Sequence, residues 1–65
     1  MNTKPIKVVL LRNNDRIIDA GRVMKVTDFQ LVLLEDIATY TLSDEDGYAT
    51  RRWAALGAIV DKVVS

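Results

Sequence analysis

Short apolar runs separated by polar clusters divide this chain into five candidate strands. Ile6, Val8 and Leu10 share one parity and Lys7, Val9 and Leu11 the other, which predicts a strand from Ile6 to Arg12 that is apolar on both faces at its far end. Pro5 lacks the N–H a ladder needs, so it belongs before that strand or on an edge. Asn13-Asn14-Asp15 is a turn signal that should close a hairpin, because these side chains bond locally to backbone and tolerate left-handed conformations. A second strand follows from Arg16 to about Val26, with Ile17 and Val23 on one face and Ile18 and Met24 on the other. A bulge near Gly21 would turn both halves inward.

Thr27-Asp28 forms a polar corner, after which Phe29 to Glu35 reads as a third strand. Its run Leu31-Val32-Leu33-Leu34 has no alternation and predicts burial on both faces, with Asp36 to Thr41 continuing as an exposed edge. Ser43-Asp44-Glu45-Asp46-Gly47 is the clearest turn, and its acids repel one another too strongly for all to be buried. Tyr40 and Tyr48 flank it, placed to pack across the hairpin. Beyond Tyr48 two readings stand. Strands from Tyr48 to about Ala54 and from Ala58 to Val64 compete with a helix that spaces Trp53, Leu56, Val60 and Val64 along one face; Gly57 would cost that helix about 1 kcal/mol.

Length limits this pattern to one domain over residues 1–65, with a core too small to be stable by a wide margin. Cysteine and histidine are both absent, which removes disulfides, thiolate metal sites and the commonest acid–base and nucleophilic chemistry. Partner chains are then the natural extra source of stability. Nine basic and nine acidic residues balance to zero, which argues against duplex binding driven by global charge and leaves room for a local basic patch. No stretch approaches the roughly 20 apolar residues of a membrane span, and no signal-like segment precedes Ile6, so the chain reads as soluble and cytoplasmic.

The order of strand, polar turn and strand, with Gly21 followed by Val23, Thr27-Asp28, Phe29 and Leu31 to Leu34, resembles the Sm-like family with its LSm and Hfq branches. Leu56-Gly57-Ala58-Ile59-Val60 and Val63-Val64 are similar to that family's second motif and last strand. The resemblance implies an all-β, strongly bent, five-stranded antiparallel barrel of the Src-homology-3-like type, with the N-terminal helix absent or vestigial. It also implies a homo-oligomeric ring of five to eight subunits joined edge to edge. An apolar last strand left as an open edge leads to the same expectation, because a closed head-to-tail ring removes such edges. Leu31 stands where many members carry a base-binding asparagine, and Arg51-Arg52-Trp53 lies near the place of the second motif's basic residues.

The RNA-binding candidates carried by this resemblance are Phe29, Asp28, Gln30, Arg51 and Arg52. Phe29 would stack on a base, an interaction of about 1 to 3 kcal/mol that every base can make; the competing role is a core phenylalanine. Gln30 would read a base edge or point to solvent. Arg51 and Arg52, as strand neighbours, point to opposite faces, so one at most meets a phosphate. Trp53 reads as a core or interface anchor. The acids Asp44 to Asp46 lack the spacing of a calcium loop, and no metal or other cofactor is expected. The leading expectation is a ring that binds U- or A-rich single-stranded RNA near its pore, with no enzymatic activity; the alternative is a homo-oligomeric scaffold or interaction module that binds no RNA. A small partner-binding subunit with a C-terminal helix is a third.

Overall fold

The chain turns where its backbone enters the left-handed region, at Asn14, Ala20, Gly21, Asp28, Asp36 and Gly47. Between these points a computed structural model, which describes residues 1–65, shows six strands and no α-helix. They are β1 (Thr3–Lys7), β2 (Arg16–Asp19), β3 (Arg22–Val32), β4 (Ile37–Ser43), β5 (Ala49–Ala55) and β6 (Ile59–Val63). All pair antiparallel in one sheet of order β1-β6-β2-β3-β4-β5, so β1 and β5 are its two edges.

The expected first strand is displaced toward the N-terminus, and the turn at Asn13–Asp15 closes no hairpin with the second, because β1 pairs with β6. Pairing begins at Thr3 and stops at Lys7, and Pro5 sits opposite Asp61 on an edge strand, where its missing N–H is tolerated. Val8–Leu10 then winds into a single 3-10 turn. Residues three apart eclipse in that geometry, so Val8 and Leu11 both point into the core, whereas a continuous strand would have split them between faces. Val8 N–H donates to Ala58 O at 2.8 Å and Val9 N–H to Leu56 O at 3.1 Å, tying the turn to the loop before β6.

The expected second strand is two strands. Asp19 pairs with Arg22, leaving Ala20-Gly21 as a two-residue hairpin loop with positive φ at both positions (50° and 78°), as a type I′ turn requires. Gly21 is therefore a reversal of the chain and not a bulge in a continuous strand. The bend lies seven residues later. Thr27 pairs with Thr41 and Gln30 with Thr39, so Asp28 and Phe29 together oppose the single residue Tyr40 in a β-bulge, with Asp28 at φ 51°. Before the bulge β3 pairs with both β2 and β4; after it, β3 pairs with β4 alone.

The Leu31–Leu34 run is not buried. Leu31 is half-exposed, Leu33 is largely exposed and Leu34 is fully exposed, because the ladder ends at Val32 and the chain turns through a 3-10 segment, Leu33–Glu35, with no second layer above it. The stretch taken for a frayed edge is instead the best-buried strand. Ala38, Tyr40 and Leu42 of β4 alternate inward with Thr39, Thr41 and Ser43 outward, between β3 and β5 on either side. With Val8, Leu11, Ile17, Met24 and Val26 they make the core. The C-terminal residues are strands: Trp53 lies in β5, and β6 pairs with β1 on one side and, through Ile17↔Lys62 and Ile18↔Asp61, with β2 on the other. The last strand is thus covered and offers no open edge. The Ser43–Gly47 turn stands as expected, with Asp44 at its centre.

Candidate functional site

The β3 bulge gathers most of the candidate residues. Asp28 takes the left-handed position, one that aspartate tolerates through local side-chain bonding, and this frees Phe29 N–H from the ladder. That N–H donates to Asn13 Oδ1 at 2.9 Å, so a side chain from the first turn satisfies the bulge. The Phe29 ring stacks on Tyr40 with centroids 6.3 Å apart and planes 26° from parallel, and packs against the core while keeping part of its surface exposed. Gln30, exposed, sits across from Thr39 on the outer face.

Arg51 joins this group from β5. Its Nη1 donates to the Asp28 carbonyl at 3.1 Å and to Thr41 Oγ1 at 3.0 Å, and its Nη2 donates to Thr39 Oγ1 at 2.9 Å. The guanidinium therefore lies flat over β4 and holds the bulge from outside. Arg52 is not part of the cluster. It points to the inner face, where Nη1 and Nη2 donate to the two carboxylate oxygens of Asp19 at 3.2 and 2.9 Å. This fork-to-fork pair brings β5 to the end of β2 and marks how far the sheet has curled. Burial raises the Tyr40 phenol above its usual pKa of 10.0, against the pull of Arg52 and with a contribution from Asp19.

So the structure places Gln30, Arg51 and the Asp28 carbonyl on the outer side of the bulge, turns the Phe29 ring onto Tyr40 and the core, and sends Arg52 elsewhere. Both arginines are engaged within the chain, which leaves the bulge without a cluster of uncommitted cations. Two shallow hollows lie away from it, beside the Arg22–Asp44 ion pair; one is lined by Arg16, Val23, Lys25, Ser43, Asp44 and Glu45, with charges of both signs. No three His, Cys, Asp or Glu side chains converge to hold a metal ion. No helix is long and apolar enough to cross a membrane.

Two features escaped the sequence reading. Asn13 acts sixteen residues away, a role its local turn signal does not reveal. Trp53, 71% exposed, stands on the outer face beside Arg51, and strand alternation from Arg51 to Trp53 is the signal that pairs them. Tyr40 packs on Phe29 from the middle of β4, while Tyr48 remains exposed at the hairpin, so the two tyrosines do not form the pair their positions suggested. No family model, no curated protein and no solved structure matches this chain.

Proposed function

We propose that this protein is a non-enzymatic assembly module, an Sm-like scaffold that joins copies of itself through an exposed sheet edge. The observation that carries this reading is the contrast between its two edges. β1 is blunted in the usual manner, carrying Pro5 together with Lys4 and Lys7. β5 runs seven residues with neither proline nor lysine and carries the exposed Trp53. A long, unguarded edge with an aromatic anchor is a template for another strand. Exposed Leu31, Leu33 and Leu34 add apolar surface that a lone 65-residue chain leaves in water. Sedimentation velocity across a range of concentrations tests the reading: a mass above the 7.3 kDa chain supports it, and a ring of five to eight copies would weigh about 36 to 58 kDa. A species that stays at 7.3 kDa at every concentration would refute it.

A second reading, binding of single-stranded RNA by stacking on Phe29, is favoured by the partly exposed Phe29 ring at the bulge, beside the Asp28 carbonyl that Arg51 holds. Fluorescence anisotropy with short oligo-U and oligo-A tests it. Binding that weakens in Phe29→Ala supports the site, and no binding at low salt leaves the scaffold as the sole function.

A further inference from the structure

The β5 edge has a hydrogen-bonding phase that can be read from its two ends. Asp44 N–H donates to Tyr48 O at 3.0 Å, and Leu56 N–H donates to Asp36 O at 3.1 Å. Both pairs continue the β4–β5 register, Ser43↔Ala49 to Ile37↔Ala55. In an antiparallel ladder, bonded and non-bonded pairs alternate. Thr50, Arg52 and Ala54 therefore bond to β4, and the N–H and C=O groups of Ala49, Arg51 and Trp53 point away from it together with the N–H of Ala55. The Ala55 carbonyl accepts from Ala58 N–H at 3.0 Å, and the other outward groups have no backbone partner.

Charges that ordinarily guard such an edge are drawn off it. Arg51 is folded back over β4 onto Thr39, Thr41 and the Asp28 carbonyl, and Arg52 is neutralised by Asp19. The opposite edge is closed to the same use, since β1 carries Pro5, and β6 is already paired on both sides.

Resting on the self-assembly reading, we infer that two copies pair β5 to β5 antiparallel about a two-fold axis at Arg52. Only this register uses the whole edge. It sets Ala49 opposite Ala55 of the second copy and Arg51 opposite Trp53; their outward groups are free except the Ala55 carbonyl, which keeps a second lone pair beside its bond from Ala58, so each becomes a bonded pair. Thr50 then faces Ala54, and Arg52 faces its own counterpart, in the closer non-bonded positions. Two like charges directly opposite would repel, and the Asp19 carboxylate on each copy removes that obstacle. The indole of Trp53 lies along the aliphatic stem of Arg51 from the other chain. The interface is self-complementary and closes at two copies.

Light scattering then gives about 15 kDa, two of the 7.3 kDa chain. A 7.3 kDa monomer overturns both this inference and the assembly reading, and a 36 to 58 kDa ring overturns the two-fold pairing alone. Register is tested by cysteine cross-linking, since the native chain has none. Arg52→Cys cross-links to itself under mild oxidation. In case the lost ion pair unfolds that variant, a mixture of Thr50→Cys and Ala54→Cys chains provides a second arm: it cross-links about tenfold faster than either variant alone, because facing non-bonded residues stand within disulfide reach. Equal rates in the mixture and in the single variants would overturn the register. Asp19→Ala, by releasing the arginine at the axis, weakens dimerisation about fivefold. Ala49→Pro removes an outward N–H and yields a monomer with unchanged circular dichroism; a folded dimer of that variant would overturn the pairing.

Discussion

Arg52 and Asp19 are paired through both terminal guanidinium nitrogens, at 3.2 and 2.9 Å, across the mouth of the curled sheet. Three strand steps separate β5 from β2 in the sheet order, so the pair is a measure of curvature more than of local structure. Both side chains remain partly exposed, and solvent screens their attraction. Arg52→Ala is expected to cost only about 0.5 kcal/mol in denaturant unfolding of the monomer. A loss several times larger would mean that the pair holds the curl itself.

Tyr40 lies beneath that pair, and its titration reports on it. Its phenol is raised chiefly by burial, lowered by Arg52 and raised by Asp19. The titration followed by phenolate absorbance should therefore move down in Asp19→Ala and further up in Arg52→Ala. Because the folded value exceeds the unfolded one, the neutral phenol contributes stability below about pH 10 that is lost as pH rises through the folded value. Unfolding free energy should fall on the alkaline side. Tyr40→Phe should flatten that fall.

Ala20 occupies a left-handed position, φ 50°, that suits asparagine or glycine better. Ala20→Asn is expected to raise stability by about 0.5 to 1 kcal/mol, seen as a melting temperature higher by several degrees. No gain, or a loss, would show that the hairpin is not a type I′ turn.

Asn13 and Asp28 support the bulge from two sides. Asn13→Ala removes the acceptor of Phe29 N–H and should cost about 1 kcal/mol. Asp28→Gly should be close to neutral, since glycine takes positive φ freely, whereas Asp28→Val should cost about 1 to 2 kcal/mol. Thermal melts of the three variants separate these effects.

Asp44 is the one acid of its turn that is withdrawn from water, its side chain being 6% exposed. Its Oδ1 accepts from Asp46 N–H at 2.9 Å and Tyr48 N–H at 3.0 Å, while Oδ2 pairs with Arg22. Asp44→Ala should destabilise the fold by about 1 to 3 kcal/mol. Neutralising Glu45 or Asp46, both exposed, should change it by less than about 0.5 kcal/mol.

All-β character, the turns at Asn13–Asp15 and Ser43–Gly47, and the strands after Tyr48 were legible because each rests on local chemistry. The Ala20-Gly21 hairpin was missed because its first position lacks the asparagine or aspartate that normally announces a type I′ turn. A glycine between apolar residues then looked like a bulge. Leu31–Leu34 misled for a different reason: an apolar run predicts burial only where some layer exists to cover it, and a single sheet supplies none there. At the candidate site, the opposite facing of Arg51 and Arg52 followed from strand alternation, but their partners Asp19, Thr39 and Thr41 depend on curl and register. Those are properties of the whole sheet.

Strand β1 lies along β6 as a cover, and the consequence concerns growth. With it in place, an assembly built on the β5 edge would have one receptive side, and association would stop once that side was satisfied. A chain lacking residues 1–7 would bare β6 and become receptive on both sides; each recruit would then bring a fresh site for the next, and open-ended fibres would replace a finite particle. In such an assembly the five residues of β1 would act as a terminator for polymerisation.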